Sequence, residues 1–171
     1  MSSPHYSTII ILIGIPGSGK SRWATKYQKR HNNIHIVSTD QIRKELTGCE
    51  QCIDPSQNGM IHDEARKRVK AIMDDPNNYG GNHGMGPEII VDSTNVDWQE
   101  WAKYRALNPT AMLALPFNVD VDTAMDNQRH RERQVPREIL EMKWKQMQEN
   151  KHLFPRYFDM IIDKSWRKYY H

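Results

Sequence analysis

Thr8-Ile9-Ile10-Ile11-Leu12-Ile13-Gly14-Ile15-Pro16-Gly17-Ser18-Gly19-Lys20-Ser21 decides how the rest of the chain reads. Its first six residues are a short, β-branched, apolar run, the composition of a strand buried on both faces. The next eight satisfy G-x-x-x-x-G-K-[ST], in which glycines let the backbone wrap close to an anion and aim successive N–H groups at it. Gly14, Pro16, Gly17, Ser18 and Gly19 then form a phosphate cradle. Lys20 reaches the β- and γ-phosphates of ATP or another nucleoside triphosphate, and the Ser21 hydroxyl ligates Mg²⁺. The strand before the loop and the amphipathic stretch after it (Trp23, Ala24, Tyr27) supply the context this motif needs.

A chain of 171 residues suits one domain, 1–171, with one active site. The net charge is only +3, yet basic residues bunch at Lys26-Lys29-Arg30, Arg66-Lys67-Arg68-Lys70, Arg129-Arg131-Arg133 and Arg167-Lys168. Such clusters favour an anionic partner, although solvated helix faces account equally for the first two. The longest apolar run, Ile9–Ile13, is far too short for a bilayer, and the N-terminus lacks the basic region of a signal peptide. A soluble cytoplasmic protein is expected, with no membrane and no stable protein partner. Cys49 and Cys52 form a lone C-x-x-C without zinc-ribbon spacing, and read as reduced thiols.

Strand and helix patterns alternate along the chain, which predicts an α/β fold: a mostly parallel sheet covered by helices in three layers. After the loop and its helix (Lys20–His31), Ile34–Ser38 reads as a second strand delivering Thr39-Asp40 to its carboxyl end, where open α/β sheets bind ligands. Helices are expected near Gln41–Leu46 and Met60–Met73, then a long surface loop from Asp74 to Pro87. Glu88–Asp92 and Met112–Phe117 read as strands, with a helix between them carrying Trp98, Trp101, Ala102 and Leu107. Asp122 or Thr123 is a candidate cap for the next helix, Pro136 opens another that runs to about Asn150, and Phe158–Asp163 closes the sheet.

Phosphoryl transfer needs the phosphates held, a metal placed, the acceptor oxygen deprotonated and the moving charge neutralised. Asp40 is the candidate base, with helix capping at Gln41 as its alternative role. Arg43, one turn on, is placed to grip an acceptor phosphate, or else to pair with Asp40. Asp92 is a candidate metal-orienting carboxylate beside Ser21. Thr94 and Asn95 line the acceptor site or merely build a turn. Arg129, Arg131 and Arg133 lie between two helices, as in a lid over about 129–136 that aims arginine at the transition state.

Four stretches in order, Leu12–Ala24, Ser38–Arg43, Ile90–Asn95 and Asn127–Pro136, resemble the bacteriophage polynucleotide 5′-kinase domain of the P-loop kinase superfamily, over about residues 8–163. The resemblance implies a P-loop kinase fold with an arginine-bearing lid, ATP and Mg²⁺ as cofactors, Asp40 as general base and Arg43 on the phosphate beside the acceptor nucleoside. It also implies a nucleic acid 5′-hydroxyl end, RNA or DNA, as acceptor, and a role in phage end repair. Where that family has an arginine three residues after the position of Asn127, this chain has His130 between Arg129 and Arg131. The phage enzyme's phosphatase domain has no counterpart here, so phosphatase activity is not expected. The competing expectations are a kinase of a hydroxymethylated DNA base or of a small metabolite, and a non-catalytic nucleotide-sensing module.

Overall fold

The computed structural model describes residues 5–49, 54–80, 86–131 and 134–163. Five parallel strands lie in the order β2-β3-β1-β4-β5, with β1 Thr8–Ile13, β2 Ile34–Ser38, β3 Glu88–Asp92, β4 Ala111–Pro116 and β5 Met160–Ile161. Seven α-helices are described: α1 Lys20–Arg30, α2 Thr39–Thr47, α3 Asn58–Asp74, α4 Trp98–Arg105, α5 Val121–Gln128, α6 Arg137–Asn150 and α7 Phe154–Tyr157. The expected α/β architecture is thus present. No described helix is long and apolar enough to cross a membrane.

The central strand makes the layers. Side chains alternate across a strand, so Ile9, Ile11 and Ile13 enter one core with Ile61, Ala65, Val69, Trp101 and Phe154 from α3, α4 and α7. Ile10 and Leu12 enter the other, against Trp23, Ala24 and Tyr27 of α1. Truncating a residue such as Ile11, fully buried, costs about 2–5 kcal/mol. A third, separate cluster joins Ile15 of the loop to Ala124, Val135 and Leu140.

Element ends differ from the sequence expectation where polar residues compete. The cap of α2 is Ser38, whose hydroxyl accepts from the Gln41 N–H at 3.3 Å, so α2 starts earlier and Asp40 lies inside its first turn. The cap of α5 is Asp120, accepting from the Thr123 N–H at 2.7 Å, and not Asp122 or Thr123. The closing strand shrinks to two residues because the Asp159 carboxylate accepts from the Met112 N–H (2.9 Å) and pairs with Arg105. Cys49 is disulfide-bonded, which corrects the expectation of a reduced thiol there; Cys52 lies outside the described residues, as do Arg133 and the tail from Trp166.

Candidate active site

The loop between β1 and α1 takes the conformation its glycines permit. Gly17 and Gly19 have φ of 84° and 92°, a region that side chains with a Cβ rarely enter. Gly17 also lies under α5: a Cβ there would stand 2.6 Å from the Ala124 carbonyl oxygen. The loop is held at its start by the Gly14 N–H, which donates to the Thr94 carbonyl at 3.0 Å.

Lys20 turns its ammonium back over this loop, donating to the carbonyls of Gly14 (2.8 Å) and Ile15 (2.9 Å) and to Ser18 Oγ (3.3 Å). Burial lowers its pKa from 10.5 to about 8, against the attraction of Asp92 and Asp40 and with a small push from Arg131. Ser21 Oγ donates to Asp92 Oδ2 at 2.7 Å. Asp92 ends β3, buried, and burial raises its pKa despite the Ser21 hydrogen bond and the Lys20 charge. Ser21 and Asp92 together offer the hard oxygen ligands that suit Mg²⁺. Among the described residues no cluster of three His, Cys, Asp or Glu side chains exists to hold a metal. Ser21 and Asp92 would hold such a cation with the few protein oxygens that Mg²⁺ uses.

Asp40 and Arg43 are an ion pair at 2.8 Å, the carboxylate side chain 61% exposed and the guanidinium side chain 11% exposed. The other Arg43 nitrogen donates to Asn58 Oδ1 of α3 at 3.3 Å. The pairing considered from sequence is therefore present, and it does not isolate Asp40 from the loop, because its charge acts on both Lys20 and Asp92. Asn95 adopts the turn role: nearly buried, at φ 49°, it donates its amide to the carbonyls of Leu12 (2.8 Å), Val91 (3.2 Å) and Ser93 (3.3 Å). Its amide nitrogen is thus used on backbone, while its Oδ1 is buried without a hydrogen-bond partner among the described residues. Thr94 is half-buried beside it.

Arg129 and Arg131 differ. Arg129 pairs with Asp126 at 2.8 Å, both side chains well exposed. Arg131 instead acts electrostatically on Lys20 and Asp92, which puts its charge on the loop side. Asn127 Nδ2 donates to the Gly17 carbonyl at 2.9 Å, fixing α5 on the phosphate loop. Sequence reasoning also missed a cavity of about 650 Å³ lined by Pro116 at the end of β4, Asn118, Met147, Lys151, Phe154 and Ile161. Its residues come from three stretches of the chain, 116–118, 147–155 and 161–163, so no local pattern announces it.

Similarities to solved structures agree with this geometry. A chain of the Pnkp1/Rnl/Hen1 RNA repair complex superposes with a TM-score of 0.72 at 20% identity, over 90% of this chain and 48% of that one, so this chain spans about half of that relative's length. The tunicamycin resistance protein of Deinococcus radiodurans (TM-score 0.56, 15% identity) is covered to 87%, with 93% of this chain matched. A gluconokinase from Sinorhizobium meliloti 1021 (TM-score 0.56, 15% identity) is covered to 82%, with 91% of this chain matched. At such identities the likeness establishes the fold alone. The sequence itself matches the AAA domain family over residues 9–153, and with its phosphate loop, parallel sheet and Ser21–Asp92 pair the chain belongs to that family of P-loop domains.

Proposed function

We propose that this chain, as a single kinase unit, transfers the γ-phosphoryl group of ATP to the 5′-hydroxyl of a polynucleotide or nucleotide end. The observation that carries the reading is the Asp40–Arg43 pair at the carboxyl end of β2, a carboxylate whose charge reaches Lys20 next to a guanidinium with one edge on Asn58. A hydroxyl acceptor that bears its own phosphate needs a base and an anion grip side by side. Asp40 takes the proton of the acceptor hydroxyl as its oxygen bonds to the γ-phosphorus. The bond from that phosphorus to the β–γ bridging oxygen breaks, and ADP leaves. Arg43 exchanges Asp40 for the acceptor phosphate, while Thr94 borders the acceptor. Lys20 leaves the loop carbonyls for the β- and γ-phosphates, and Arg131, with Arg129 behind it, neutralises the moving group. Mg²⁺, oriented by Ser21 and Asp92, supplies charge neutralisation across the phosphates when bound.

The similarity to a chain of an RNA repair complex supports an end-repair role and a nucleic acid partner. A second reading, a kinase of a small hydroxylated metabolite, is favoured by the tunicamycin resistance protein and the gluconokinase, because there the match spans most of both chains. The test is γ-labelled ATP with Mg²⁺ against 5′-hydroxyl RNA, 5′-hydroxyl DNA, nucleoside 3′-monophosphates, hydroxymethylated duplex DNA and sugars. Label on a 5′ end supports the proposal; label on sugars alone, or ATP hydrolysis with no acceptor labelled, overturns it.

A further inference from the structure

We propose that Gln128 is the positioning residue of the arginine loop, setting where Arg131 stands over the phosphate loop without itself touching nucleotide or acceptor. The inference rests on the kinase reading and adds a residue to it. Gln128 ends α5 and is 1% exposed, a rare place for a glutamine unless both ends of its amide are used. Both are: Nε2 donates to the Val135 carbonyl at 2.8 Å and Oε1 accepts from the Val135 N–H at 3.1 Å. A primary carboxamide carries a donor and an acceptor at the spacing of one backbone residue, so it closes this two-point contact as a neighbouring strand would. Arg131 follows three residues after Gln128, next to this contact.

Inside that tie the Gln128 carbonyl accepts from the Arg131 N–H at 2.9 Å, and Gln134 Nε2 donates to the Arg129 carbonyl at 3.2 Å. Outside it the base is anchored to the phosphate loop. Val135 packs with Ala124 and Leu140 against Ile15, and the neighbouring Asn127 amide holds the Gly17 carbonyl. Adjacent amides thus face opposite tasks, one registering α5 on the loop that grips phosphate, the other closing the segment that carries the arginine.

The experiment uses the full chain as wild type, Gln128→Met, Arg131→Ala and the double variant, with the best acceptor from the panel above. Gln128→Met keeps side-chain size and loses the donor and the acceptor, so it should lower kcat ~10- to 10²-fold with KM for ATP within a few fold, as loss of positioning without loss of ground-state binding does. The double variant should be no slower than Arg131→Ala, because Gln128 acts through that arginine. Native-state trypsin should cut after Arg129 and Arg131 faster in Gln128→Met. Losses that multiply in the double variant, or an unchanged kcat with unchanged trypsin cleavage, overturn the inference. If Gln128→Met fails the circular dichroism check for folding, Gln128→Glu, which keeps the acceptor, takes its place with the same criteria. A wild type that phosphorylates nothing sinks the kinase reading, while the trypsin comparison still decides whether Gln128 holds the loop.

Discussion

The Ser21 hydroxyl donates to the Asp92 carboxylate across 2.7 Å, joining the first turn of α1 to the end of β3. Both residues sit at strand and helix ends that converge on the loop, so a cation there meets oxygens already in place. Ser21→Ala and Asp92→Asn should each lower phosphoryl transfer by ~10²-fold or more. A titration with Mg²⁺ should show a higher half-saturating concentration in both. An unaltered Mg²⁺ requirement would speak against the pair as a cation site.

Lys20 carries a pH signature. Its folded-state pKa, about 8, lies below the unfolded 10.5, so across that window the unfolded chain binds more protons and stability rises with pH. Below about 8 both states are charged and the burial penalty is present in full. Urea denaturation of wild type and Lys20→Met should therefore show the variant gaining most, relative to wild type, at pH 7. That advantage should shrink by up to about 3 kcal/mol as the pH approaches 10.5. A difference independent of pH would show that Lys20 is not held at a lowered pKa.

Asp40→Asn should retain ATP affinity by calorimetry while transfer falls by ~10²-fold or more, the scale of a lost general base. The Ser38 cap remains in that variant, so its helix should keep its melting behaviour. Equal losses of nucleotide affinity and turnover would move Asp40 to the donor side.

Arg43→Ala should penalise a nucleoside 3′-monophosphate far more than the unphosphorylated nucleoside, by ~10-fold or more, since a charge-assisted bidentate contact is removed from only one of them. Uniform losses in KM across both acceptors would leave Arg43 as the partner of Asp40 and Asn58 alone.

Arg131→Ala should cost ~10³-fold in turnover, as the loss of a transition-state arginine does, whereas Arg129→Ala removes an exposed pair with Asp126 and should stay within ~10-fold. His130→Ala, altering an exposed side chain, should leave the pH profile intact. Activity that collapses in His130→Ala and rises at acid pH in the wild type would transfer the role to a protonated histidine.

The strand and glycine loop of the candidate site were legible because their geometry is written in backbone terms: Gly17 and Gly19 occur where φ is positive, and β1 alternates into two cores. Asp92 was legible as the polar end of an apolar strand. Helix starts were misplaced because Ser38, Thr39 and Asp40, like Asp120, Asp122 and Thr123, are all competent caps, and only the register of the first hydrogen bond selects one. Gln128 was hidden among Asn127, Arg129 and His130, since a polar run reads as solvated surface until the fold brings Val135 over it. Asn95 offered the same ambiguity, as asparagine serves a turn and a ligand equally.

The cluster of Ile15, Ala124, Val135 and Leu140 shares no described buried residue with the two cores on the sheet. Cooperative opening follows such boundaries, so α5 and the start of α6, bridged to the sheet core by the partly buried Trp144, are expected to exchange as a unit distinct from the strands. In deuterium exchange the amides of α5 would then turn over at a free energy well below that of β1.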